Sequence, residues 1–289
     1  MTRTLLRRCL LAAAVFAPLS VQAQSFERAA TGLTDTLQNA VDLLPEGVNN
    51  IRLGLGPAIG TDYEGSDHYK VDPVPVVSLR YRDLIEVDNN EVKLIALKRL
   101  LQASAGTGGG TNLRAGPLVS FNFGRGEGDS PDLRGMGNVD LAFELGGFVS
   151  YYFNDNRSRV RLRARQDVAG GHSGALASID YNQNFIRTAK YNLGGWVQGT
   201  WVSGAYMRSF FGVSPAQSLA SGYPVYRPGN GFKDVTFGLN GNYTIAPQWS
   251  LVAAVSYKRL IGGAADSPIV DLVGSPNQMS YSTFIVYSF

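Results

Sequence analysis

Between residues 50 and 289 the dominant rhythm of the chain has a period of two. Val139, Leu141, Phe143, Leu145, Gly147, Val149, Tyr151 and Phe153 stand at odd positions, with Asp140, Glu144 and Ser150 between them. Leu113 to Phe123, Val235 to Ile245 and Met279 to Phe289 alternate in the same way. This is the pattern of strands with one apolar and one polar face. It predicts strands over 51–60, 72–82, 84–88, 91–101, 111–124, 138–153, 157–168, 174–187, 190–213, 232–245, 249–261 and 278–289. The total of twelve depends on reading 190–213 as one long strand. In 84–101 only one short hairpin is readable, so ten is the alternative. A soluble β-sandwich alternates too. Several of these segments, however, are long enough to cross a bilayer at a tilt. Their polar faces are rich in Gly, Ser and Asn, which suits a crowded or wet lumen. The expected fold class is all-β: a transmembrane antiparallel up-and-down β-barrel.

An even strand count puts both termini in the periplasm. The long connections 61–71, 125–137, 169–173, 214–231 and 262–277 then fall outside the cell, and 154–156 and 246–248 on the periplasmic side. Phe153, Tyr243, Trp249, Tyr287 and Phe289 share the periplasmic depth, as an aromatic girdle would. The chain before the strands reads differently. Residues 1–23 carry Arg3, Arg7 and Arg8, an apolar stretch and a small-residue site ending at Ala23, which together read as a signal peptide. In 24–49, Phe26, Ala30, Leu33, Leu37, Val41 and Leu44 recur at spacings of three and four. They predict a short amphipathic helix, either a periplasmic lead-in or a plug in the barrel mouth. The barrel itself is 50–289.

Charge then narrows the function. The chain has 26 basic and 23 acidic residues, but three of the arginines belong to the signal peptide, so the mature chain is neutral. A nucleic-acid binder needs a standing cationic excess, and nucleic acid is not expected as a partner. The single cysteine, Cys9, also leaves with the signal peptide, so no thiol chemistry or disulfide remains.

Gly54-Leu55-Gly56-Pro57, Tyr63-Glu64-Gly65-Ser66 and Pro73-Val74-Pro75 are followed by 167–174 (Asp-Val-Ala-Gly-Gly-His-Ser-Gly). Then come Phe210-Phe211-Gly212-Val213, Asp266-Ser267-Pro268 and a terminal Tyr287-Ser288-Phe289. In order and spacing these motifs resemble the MipA/OmpV family of outer-membrane proteins over about residues 50–289. The resemblance implies the outer membrane of a Gram-negative bacterium, in contact with its lipid and lipopolysaccharide. It also implies insertion by the barrel-assembly machinery, for which the row Tyr281, Ile285, Tyr287 and Phe289 resembles the terminal signal. The member that gives the family its name resembles a scaffold between a murein transglycosylase and a penicillin-binding protein. Other members resemble adhesins.

Candidate chemistry is sparse. Two histidines, His68 and His172, far apart and without cysteine, make no transition-metal set. No metal or cofactor is expected. Asp167, His172 and Ser173 suggest a hydrolase triad only if a loop makes them converge; otherwise they form a polar turn. Gly124-Arg125-Gly126-Glu127-Gly128 and Gly108-Gly109-Gly110 read as loop glycines, because neither sits in a strand-to-helix unit. Asp62, Glu64, Asp67 and Asp72 read as a solvated acidic loop, with a divalent cation as the sharper alternative.

Arg157, Arg159, Arg161, Arg163 and Arg165 carry the most information, since their spacing of two puts them on one strand face. A charge at the lipid midplane costs about 2–4 kcal/mol, so this face is expected to point into the lumen. There it would either line an anion-preferring pore or be neutralised by acids such as Asp140 and Glu144. Mature neutrality favours neutralisation. Opposing Glu144 to Arg165 rather than to Asp167 selects a tight turn at Asn154-Asp155, with paired residue numbers summing to 309. The resulting expectation is a non-enzymatic barrel acting as a scaffold or surface-interaction protein. A narrow anion channel is the alternative and a lipid- or lipopolysaccharide-directed hydrolase the second alternative.

Overall fold

A computed structural model describes residues 49–82, 84–97 and 112–289. The expected signal peptide and amphipathic helix lie outside these residues. The alternating segments form twelve antiparallel strands in one closed ring. They are β1 (Asn49–Thr61), β2 (Tyr69–Tyr81), β3 (Ile85–Asp88), β4 (Glu91–Leu94), β5 (Leu113–Asn122) and β6 (Ala142–Phe153). The ring continues through β7 (Ser158–Asp167), β8 (Ala175–Arg187), β9 (Tyr191–Val202), β10 (Gly231–Ala246), β11 (Trp249–Leu260) and β12 (Asn277–Ser288). Each strand pairs with its neighbours in sequence, and β1 with β12 closes the ring. The Phe289 amide donates to Ile51 O at 2.9 Å and finishes that seam.

The outward face is the apolar one. Ile51, Leu53 and Leu55 on β1, Leu162 on β7, Ile179 on β8 and Ile285 on β12 are all exposed, as side chains facing lipid must be. Trp249, Tyr287 and Phe289 meet edge to face in sequence, with ring centroids 4.9 and 4.7 Å apart, at the end of the barrel that carries the chain terminus. Among the described residues no helix is long and apolar enough to cross a membrane.

The segment 190–213 is not one strand. β9 stops at Val202, and helices α1 (Gly204–Phe211) and α2 (Pro215–Ser221) follow. Tyr206, Met207, Phe210 and Phe211 recur at helical spacing and are buried. Ser214 caps α2 reciprocally with Gln217, Pro215 opens it, and Gly222 ends it at φ +83°. With β3 and β4 both present, the strand count remains twelve.

At the end away from the termini the long connections fold together into a cap. Tyr63, Leu133, Met136, Tyr206, Met207, Phe210, Phe211, Leu260, Ile269 and Val270 form its buried apolar core, joined by Leu176 and Val202 from the barrel rim. Helix α3 (Pro268–Asp271) supplies Ile269 and Val270. Ser267 Oγ donates to Phe211 O, and Tyr63 Oη to Ile269 O, tying separate loops to one another.

The lumen is filled in two different ways. On the β1, β2, β11 and β12 side, Val74, Val76, Val252, Phe284 and Val286 point inward and pack as a dry cluster. On the opposite side the lumen is polar. Glycine makes room in it: a Cβ on Gly238 would sit 2.2 Å from the Trp196 indole nitrogen, so that ring lies flat against the wall only because position 238 has no side chain.

Candidate functional site

β7 carries Arg159, Arg161, Arg163 and Arg165 into the lumen, and the first three are buried. Burying a charge without a partner is costly, and here each guanidinium meets a carboxylate. Asp180 of β8 stands directly across from Arg161. It accepts from Arg161 Nε at 2.8 Å and from Arg159 Nη2 at 3.2 Å. Glu91 of β4 lies 3.5 Å from both Arg163 Nη1 and Lys93 Nζ. Lys93 reaches Asp88 at 2.9 Å, and Glu86 holds Arg80 at 2.9 Å and Arg114 at 3.4 Å. The charges of β2 to β8 thus form one connected network across the lumen.

Two expected members are elsewhere. Arg157 is in the turn before β7 and is exposed. Asp140 is exposed in the loop before β6, because β6 begins only at Ala142. Glu144 does compensate the row, as expected, and Asp180 and Glu91 do so in place of Asp140.

The register of β6 and β7 also differs from expectation. Glu144 stands opposite Asp167 and Phe153 opposite Ser158, so paired numbers sum to 311. The connection is longer than a tight two-residue turn: Asn154, Asp155 and Asn156 all take positive φ, and the Arg157 amide donates to Asn154 O at 2.9 Å. The like charges do not collide. The Asp167 carboxylate is drawn into its own loop, where it accepts from the amides of Ala169, Gly170, His172 and Ser173 at 2.7–3.2 Å. Arg165 Nη1 reaches Glu144 on the diagonal at 3.4 Å. Electrostatics therefore does not separate the two registers.

That loop seats His172 under the cap. Gly174 N–H donates to its Nδ1 at 3.0 Å, so Nε2 carries the proton and donates to Glu144 at 3.0 Å. Its ring meets Tyr206 and Phe210 with centroids 4.9 and 5.9 Å away. With both nitrogens engaged this way and Asp167 tied to backbone amides, His172, Ser173 and Asp167 do not make a triad.

Glu64 is not in a solvated loop. It turns inward between Lys233 and Lys258. Burial alone would raise its pKa, but the two ammonium groups outweigh that and hold it at about 2. Lys233 reaches this point because β10 shifts register against β9 between Phe232 and Asp234. The bulge turns Lys233 and Asp234 to the same buried side. Simple alternation would have sent Lys233 to lipid, so the sequence pattern hid it. Asp62 lies 3.9 Å from Lys70 and Asp67 3.6 Å from His68, so acids of this loop face separate partners. Among the described residues no group of His, Cys, Asp and Glu could hold a metal. Arg125, from the glycine-rich 124–128 segment, donates to Phe210 O; burial draws its pKa down to about 10, which leaves it charged at neutral pH. Between network and cap a cavity of about 130 Å³ remains.

This architecture defines a class: a lipid-facing, capped, internally charge-compensated barrel. Residues 53–289 match the family described as MltA-interacting protein MipA, so the chain belongs to that outer-membrane β-barrel family. No curated protein matches it. Among solved structures it is similar to the NanC porin (10% identity, 83% of this chain and 98% of that one, TM-score 0.44). It is also similar to an outer-membrane channel from Pseudomonas putida F1 (11% identity, 86% and 98%, TM-score 0.42).

Proposed function

We propose that this protein is a non-enzymatic outer-membrane anchor and interaction protein, with murein-synthesising and murein-cleaving enzymes as its periplasmic partners. The observation that carries this reading is the filled lumen. The guanidinium groups that would line an anion pathway are committed to carboxylates, the facing wall is packed with apolar side chains, and the cap closes the mouth around its own core. A channel would need that interior wet and open. The family description, an interacting protein, points the same way.

Length selects where a periplasmic partner would dock. With the termini in the periplasm, the turns 154–157, 188–190 and 247–248 are too short to do more than reverse the chain. Residues 24–48 and the β4–β5 connection, 95–112, are the stretches long enough to engage another protein. Crosslinking in intact envelopes, followed by purification and mass spectrometry, tests this. Full-length protein should recover a transglycosylase and a penicillin-binding protein. Deleting residues 25–46 and 98–111 should abolish recovery, whereas deleting 215–221 in the cap should not. Failure to recover a murein enzyme, or equal recovery by a folded barrel lacking both periplasmic stretches, would overturn the proposal.

A further inference from the structure

The barrel wall is not of even height. β3 and β4 have four residues each, and their turn, Asn89-Asn90, stops partway up the sheet. β2 pairs with β3 only over Ser78–Tyr81, and β4 with β5 only at Leu118, Val119 and Ser120. Two asparagine side chains finish this low section. Asn89 Oδ1 accepts from Val77 N–H at 3.0 Å, and Asn90 Nδ2 donates to Phe121 O at 2.7 Å. Above them, among the described residues, no strand lies between β2 and β5. There β2 runs on over Tyr69–Val77, whereas β5 runs on only through Phe121 and Asn122, so the wall is missing beside β2 above the hairpin.

The sequence of β2 is adapted to this notch. Val77 turns both its N–H and its C=O toward β3. Pro73 and Pro75 have the same parity with no bulge between, so they occupy the positions whose N–H would face the gap. Proline has none. The exposed edge is thereby closed to an added strand, which needs those donors. The carbonyls of Pro73 and Pro75 remain, and such groups are tolerated at membrane depth only beside a polar cavity. The cavity under the cap lies next to them: it is lined by Lys70 and by Asp72, the neighbour of Pro73, on β2, by Asn90, and by Phe121 and Asn122 of β5. Phe121 belongs to the outward face, yet it also lines this cavity, so the cavity reaches the wall there. Tyr69 and Tyr81 mark the two ends of the outward face of β2 and place the notch in the leaflet nearer the cap.

We infer that the notch between β2 and β5 is a lateral entry through which the headgroup of a zwitterionic, phospholipid-like amphiphile reaches the cavity from the membrane. The cap closes the axial route from above, and the packed lumen closes it from below. The cavity is smaller than the about 300–1,000 Å³ that enclose a whole ligand, so the hydrocarbon chain stays outside, against Val71, Pro73 and Phe121. The cavity lining carries five acidic and five basic side chains, Asp62, Glu64, Asp72, Asp129 and Glu144 against Lys70, Arg125, Arg165, Lys233 and Lys258. That balance suits a head bearing both signs and not a polyanionic one.

The full-length barrel in phospholipid vesicles provides the test. A phosphatidylethanolamine carrying a photoreactive group on its headgroup is activated, and labelled residues are mapped by mass spectrometry. Labelling of the cavity-lining Lys70, Asp72 and Ser120 should exceed that of Asn240 and Asn242, which are buried in the lumen away from the cavity, by about tenfold. A phosphatidylglycerol analogue should not show the preference. The K70Q/D72N variant, shown to be folded by unchanged heat-modifiable mobility, should lose it; K70Q alone serves if the pair does not fold. Labelling confined to outward-facing residues, or equal labelling by the two lipids, would overturn the inference. Loss of murein-enzyme recovery would leave it untouched.

Discussion

Glu64 shows how much one side chain under the cap does. It balances Lys233 and Lys258, all three side chains being largely buried, and Lys233 meets Asp234 as well. Glu64→Gln should therefore lower stability by about 3 kcal/mol, the scale of breaking a buried pair. The effect is read as a fall in the thermal midpoint of heat-modifiable mobility. The pH dependence has a definite sign. The folded pKa of about 2 lies below the ordinary value near 4.3. The stabilisation is thus complete above about pH 4.3 and drains away as pH falls toward 2. Wild type should show this acid step, and Glu64→Gln should have a smaller one; identical acid profiles would contradict the assignment. At this scale the sequence was legible only where alternation was unbroken. Arg159 to Arg165 face the lumen because their strand is regular, and Asp180 could have been found as the inward acid among Ser178 and Asn182. Lys233 could not, since a bulge decides its direction.

Elements were more legible than their junctions. Alternation located most strands to within a few residues, because one face meets lipid and the other does not; the expected strand 91–101 stops at Leu94. It failed beyond Val202, where Tyr206, Phe210 and Phe211 satisfy a helical period inside an apolar run. It was silent about the inward cluster of Val74, Val76, Phe284 and Val286, since apolar residues on both faces erase the signal. The turn after β6 was misjudged because three consecutive residues there take left-handed φ, a conformation Asn and Asp both accept. A Glu144→Cys/Asp167→Cys pair should form a disulfide efficiently on oxidation, while Glu144→Cys/Arg165→Cys should do so poorly. The reverse order on non-reducing gels would restore the tight turn. At the other end of the chain, Tyr281, Ile285 and Tyr287 lie on the outward row of β12, and Phe289, one residue beyond it, completes the seam to β1. Deleting Phe289 should reduce folded barrel in the outer membrane several-fold; unchanged yield would argue against the terminal strand as the assembly signal.

For the molecule as a whole, the ring was readable from sequence, but the state of its interior was not. Neutrality of the chain expected after signal-peptide removal favoured compensated charges. Only the packing brings Glu91 and Asp180 to the arginines and seals the mouth with loops that meet far from one another in sequence. The central claim is that this interior is closed to ions along the barrel axis. Single-channel recording on the full-length protein in planar bilayers measures that claim most directly. The account predicts no stepwise current above the bare bilayer, with steps appearing when Arg159, Arg161, Arg163 and Asp180 are all replaced by serine. Stable, anion-preferring steps from the wild-type protein would contradict it.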